Sequence, residues 1–342
     1  MTALTNLAAS LPPLSWHQFG ATEIDFGAVL IVAAGLLYGW GVWRVGRSDP
    51  DRPWSTRRVV AFYGALVVTF LAIEAFIGVY DSVLFYDHML QHLLLVMISG
   101  PLFAMGAPLE LLERATAGTA HRVVRRALGS GVAELVGHPV VAYAIYAFVI
   151  PFCHLTGFYN LTLTNQPIHD FEHLLFVVVG YLFWRPVVAI EPSRHPLHPG
   201  ARLLYLFLAV PVDTFTGLTL ASASHELFPA YLAMHRSWGP SLLLDLHMGG
   251  DVMWVGGDSL MFVGMIPVAL QWVHVEEARA IEIDRQLDAA REAQAGAPSA
   301  LGDDGGPAGG EPAPAGVAED SARAVVGGDP APRLAGGDPA PS

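Results

Sequence analysis

The sequence predicts an all-α fold, a polytopic membrane bundle of seven transmembrane helices with the N-terminus outside and the C-terminus cytoplasmic. Three observations support this. The 342 residues are 53% hydrophobic and only 14% charged, a balance foreign to a soluble domain of this length. Seven stretches approach the roughly 20 apolar residues that cross the hydrocarbon of a bilayer. Arginines gather in alternate connections between those stretches.

Residues 1–23 form an extracytoplasmic N-terminal segment. It has no positive start before an apolar core, so no cleaved signal peptide is expected, and the first span serves as an uncleaved insertion signal. The spans are 24–44, 59–80, 86–107, 138–157, 168–190, 202–222 and 249–274, which set a transmembrane domain at 24–275. The fourth is the shortest run and is bracketed by Pro139 and Pro151; proline near a helix end costs little.

Orientation follows from the basic residues, all of which are arginine. The first connection holds Arg44, Arg47, Arg52, Arg57 and Arg58, and the third holds Arg114, Arg122, Arg125 and Arg126. Arg185, Arg194 and Arg202 mark the fifth, whereas the second and fourth hold none and the sixth only Arg236. Arginine stays on the cytoplasmic side. The 106–137 connection mixes Arg with Leu and Val at near-helical spacing, as an amphipathic helix on the inner leaflet does. Trp54, Trp184, Trp238 and Trp272 fall at expected interfaces.

Residues 276–342 form an acidic, largely disordered cytoplasmic tail. From about residue 293 the composition is Ala/Gly/Pro/Asp-rich, which cannot bury a core. The tail carries most of the net charge of −13, so acidity says little about the bundle. No basic stripe exists to neutralise phosphates, which argues against nucleic acid as a partner. Cys153 is the only cysteine, so no intrachain disulfide can form.

Topology gives the histidines their meaning. His88 and His92, and again His169 and His173, stand at i, i+4, which puts both imidazoles of each pair on one helix face. Both pairs lie at the outer ends of their spans, and so do Cys153 and His154. His17, His225, His235 and His247 are external as well. Ionisable groups in a span are costly and usually functional. The five histidines of spans three to five are therefore candidate metal ligands, at a site open to the outer face. Asp87, Asp170 and Glu172 could orient them.

Imidazole suits copper, zinc and iron, while thioether and thiol favour Cu(I). With Met89, Met97, Met248 and Met253 nearby, copper fits best and zinc is the alternative. Asp213, His247, Asp258 and Cys153 are weaker candidates for the same site. Each has a plainer reading: interhelical hydrogen bonds for the two aspartates, apolar packing for Cys153 and the methionines, a loop position for His247. A lone histidine pair on a helix is also often a hydrogen-bonded interfacial pair.

The segments HMLQHLLL, GAPLELL, CHLTGFYNLTLTNQPIHDFEHLLFVVVGYLFWRPV and MWVGGD, in that order, resemble the multi-span CtaG family of bacterial cytochrome c oxidase assembly factors over about residues 25–275. The resemblance implies a seven-span plasma-membrane protein needed to build active haem–copper oxidase, acting through copper supply. Its partners would be the oxidase subunits, the lipid bilayer and a copper donor protein. His88, His92, His154, His169 and His173 fall on the family's motif positions; His247 is not among those that match clearly. Three other readings stay open: a seven-span zinc-dependent hydrolase, a haem-binding electron carrier and a membrane scaffold.

Overall fold

The computed structural model describes residues 26–233 and 236–295. The expectations for residues 1–23, His17, His235 and the tail beyond Ala295 lie outside them. The chain divides into two units, Met1–Asp284 and Arg285–Ser342. The first holds the bundle, and the described part of the second is helical. Every regular element among the described residues is a helix.

Six of these helices are long and apolar enough to cross a membrane, and a bent pair gives a seventh crossing if it is one span. The first is α1, Phe26–Ser48. The second is α2, Thr56–Ile73, which breaks at Glu74 and resumes as the short α3, Phe76–Tyr80. The third begins as α4, Phe85–Leu93, passes through a π-helical stretch at Leu94–Ser99, and continues as α5, Gly100–Gly106. Ala107, at φ 50°, turns the chain into α6, Pro108–Ala115. In the long connection, α7, Gly118–Leu128, buries no residue, in keeping with a surface helix; α8, Gly131–Val136, follows.

The fourth crossing is α9, Pro139–Leu155, bent by 65° to α10, Phe158–Thr164. Proline at its start loses no hydrogen bond, because the first turn's N–H groups have no helical acceptor. The fifth is α11, Gln166–Val188, and the sixth α12, Pro199–Ala221. A short α13, Pro229–Leu232, lies between the sixth and seventh. The seventh starts as α14, Leu242–Asp251, passes a second π-helical stretch at Val252–Gly256, and continues as α15, Gly257–Ala295. Residues 276–292 belong to this helix, although the sequence reading begins the tail at 276. Their Glu, Arg, Ala and Leu content favours helix, and Arg279 pairs with Glu276 one turn back.

The third crossing is the central column. It packs on α2, α11 and α14, while α12 packs on α9 and α14. Lipid is as apolar as leucine, so close packing rather than transfer from water holds such helices together. The third and fifth crossings approach closely at glycine. A Cβ on Gly180 would lie 2.9 Å from Val96 Cα, and one on Gly100 would lie 2.8 Å from the Gly180 carbonyl carbon. Only glycine allows that backbone contact.

A second cluster ties the arginine-rich end. Tyr38 stacks on Phe62 with ring centroids 3.8 Å apart. Its hydroxyl donates to the Gly106 carbonyl and accepts from Trp54 Nε1. Buried Glu191 accepts from the Leu109 backbone N–H, the Tyr181 hydroxyl and Arg185 Nε. The opposite end carries the histidine pairs.

Candidate metal centre

Caps and ion pairs place the donors. At α11 the Asn165 side chain accepts from the Ile168 N–H at 3.3 Å, and Pro167 sits in the first turn. This fixes the start of the helix, so that His169 and His173 fall on its first two turns. The start of α4 is held from α14: Asp245 Oδ1 accepts from the Tyr86 N–H at 3.0 Å. Arg236 donates to Asp245 at 2.9 Å and to the Val83 carbonyl at 2.7 Å. Arg236, the exception in the arginine pattern, is thus an internal strut.

All five leading histidines meet in one cluster with Asp81, Glu172 and Gln91. Exposure runs from 0% at His88, His154, Gln91 and Glu172 to 6% at His169 and His173. The site is therefore closed rather than open to the outer face. The bend after α9 explains this: it lays α10 across the histidine end and sets Tyr159 against His88, ring centroids 4.9 Å apart.

Two donor triads share His88. Asp81, His88 and His169 can each present one atom within 4.8 Å of the others, and so can His88, His92 and Glu172. His88 Nε2 lies 3.0 Å from His92 Nε2 and 3.4 Å from Glu172 Oε2. His169 Nε2 lies 3.6 Å from Asp81 Oδ2.

The hydrogen bonds fix which ring atoms are free. His154 Nδ1 donates to the Ile150 carbonyl at 2.7 Å, so its neutral ring presents a lone pair at Nε2. That lone pair accepts from His92 Nδ1 at 3.0 Å, which leaves His92 Nε2 as a lone pair facing His88 and Glu172. Gln91 Nε2 donates to the Ala72 carbonyl at 2.9 Å and to Asp81 Oδ2 at 2.8 Å. Its Oε1 accepts from His173 Nε2 at 3.0 Å. His154 and His173 thus hold His92 and, through Gln91, Asp81.

The donor set fits a cation. Nitrogen or oxygen atoms of His88, His169 and Glu172 are buried without a hydrogen-bond partner, a costly state that a ligated ion would relieve. Two carboxylates buried among imidazoles call for positive charge. Burial pushes the Asp81 carboxyl above the usual carboxylate range, opposed first by His169 and His88.

The weaker candidates lie apart from both triads. His247 Nε2 donates to the Ala223 carbonyl at 2.8 Å. Asp213 accepts from the Tyr146 hydroxyl at 2.5 Å, and Asp258 accepts from Thr214 at 2.7 Å. Cys153 is buried in the apolar core. Sequence reasoning gave Glu172 only an orienting role and overlooked Gln91 and Asp81 as parts of the site. A signal for two of them existed: HMLQH and HDFEH each carry a polar residue at i+3, on the face of the i+4 histidine.

A sequence model of the family described as cytochrome c oxidase caa3 assembly factor (Caa3_CtaG) matches residues 36–274. An uncharacterized protein of Mycobacterium leprae is 26% identical over 287 residues, 81% of this chain and 43% of that protein. An uncharacterized protein of Mycobacterium bovis is 24% identical over 269 residues, 76% of this chain and 41% of that protein. The chain spans less than half the length of these curated relatives. No solved structure matches it significantly.

Proposed function

Since the chain belongs to the Caa3_CtaG family of cytochrome c oxidase caa3 assembly factors, we propose that it holds copper in the histidine cluster and supplies it to an oxidase subunit. One observation carries this reading: two buried donor triads joined at His88. Copper accepts imidazole and carboxylate together, and an oxidase needs it as cargo. His88, His92, His169, Asp81 and Glu172 would hold the ion, while His154, His173 and Gln91 fix the donors. The histidine end faces outward, by the arginine distribution, and the protein resides in the plasma membrane.

The same nitrogen and oxygen set also accepts zinc, so metal identity is the test. Full-length protein purified in detergent, from cells grown with both metals, should carry copper, and His88→Ala with His169→Ala should not. Cells bearing that variant should assemble an oxidase deficient in copper. Zinc in place of copper, or equal copper in wild type and variant, would overturn the proposal.

A further inference from the structure

Beside the histidine cluster lies a small cavity that the copper reading does not use. Its volume is about 30 Å³, room for one ion or one water. His92 and His154 form part of its wall, and the rest includes Met89, Met97, Met253 and Asp213. Asp213 lies eight residues from the end of α12 at Ala221, about 12 Å along the helix axis. The cavity therefore leads from the cluster toward the middle of the span.

Three features distinguish it from ordinary core. Met89, Met97 and Met253 are 0%, 6% and 8% exposed, yet a void remains where methionine, the flexible gap-filler, would be expected to close it. Met97 and Met253 both sit on π-helical stretches, Leu94–Ser99 and Val252–Gly256; such stretches often mark functional positions in a helix. Asp213 spends one oxygen on Tyr146, while Oδ2 is buried with no hydrogen-bond partner.

We propose that this cavity is a second metal site, selective for a soft monovalent cation, Cu(I) or its analogue Ag(I). Thioethers of Met89, Met97 and Met253 supply soft donors. The single carboxylate of Asp213 balances a single positive charge, where the histidine cluster, with two carboxylates, balances two. No change of oxidation state is invoked, and the site stands whichever metal the cluster holds.

The test uses full-length protein in detergent in a Cys153→Ala background, which removes the thiol. Ag(I) is the probe, read by titration and by silver X-ray absorption. The parent should bind silver with sulfur scatterers, and His88→Ala should keep them. Met89→Leu with Met97→Leu and Met253→Leu should lose them while still binding Cu(II) at the histidine cluster. Asp213→Asn keeps a hydrogen-bonding partner for Tyr146 and guards against a triple variant that fails to fold; it should weaken silver binding about ten- to a hundredfold. Only nitrogen and oxygen around silver in the parent, sulfur scattering retained in a folded triple variant, or unchanged affinity in Asp213→Asn would each overturn the site. Loss of Cu(II) binding by His88→Ala reports on the cluster alone, so the two proposals fail separately.

Discussion

His88 is the residue that both donor triads require. His88→Ala should abolish high-affinity copper binding, whereas His247→Ala, which removes a bond to the Ala223 carbonyl, should leave it unchanged. Equilibrium dialysis of the two variants side by side decides this. Gln91 gives a subtler test. Gln91→Leu removes the donor to Asp81 and the acceptor for His173 without touching a donor atom of either triad. Loss of such support weakens metal binding about ten- to a hundredfold; an unaltered dissociation constant would show that Gln91 is packing only. The histidines were legible in the sequence because i, i+4 spacing survives any tertiary arrangement of a helix. Asp81 was not, because it lies in the short link between α3 and α4, and only the break at Glu74 turns it toward α11.

At the scale of elements, the glycine contact between the third and fifth crossings sets the height of one histidine pair against the other. Gly180→Leu should force the helices apart, since even a Cβ there lies 2.9 Å from Val96 Cα. Overpacking of this kind costs about 1–3 kcal/mol, and a lowered melting temperature in detergent should accompany weaker metal binding. If the variant melts like wild type, the contact carries no strain. Glu191→Gln should loosen the opposite end, where one carboxylate serves Leu109, Tyr181 and Arg185. Losing a charge-assisted hydrogen bond costs about 1.5–3 kcal/mol, and copper binding should persist because the cluster lies at the other end of the bundle. The apolar stretches announced the first six crossings to within a few residues, as at 168–190 against Gln166–Val188, but the seventh, read as 249–274, starts seven residues earlier at Leu242 and runs on to Ala295. They hid the π-helical stretches, because one extra residue in an apolar run leaves its composition unchanged.

For the whole molecule, the orientation expected from the arginine pattern can be measured directly. An alkaline phosphatase fusion after Ser224, at the histidine end, should be active, and one after Thr116 should be inactive. The reverse pattern would place the cluster on the cytoplasmic side and remove the route to an oxidase site outside. Composition made the membrane class legible from the start, because hydrocarbon thickness is a constraint that sequence meets residue by residue. Closure of the site was illegible, because it depends on where the bend after α9 sends α10.

That bend has a kinetic consequence. Tyr159 packs on Phe85 and Phe228, and its hydroxyl meets that of Tyr231 at 2.9 Å, so an aromatic plug stands beside His88. An ion behind such a plug exchanges at the rate at which the plug opens, however strong the competitor waiting in solution. Its release to a chelator should level off at a ceiling as chelator concentration rises. Tyr159→Ala should lift that ceiling while leaving the equilibrium affinity near its wild-type value, the result expected if residence time, rather than affinity, sets when a bound ion leaves.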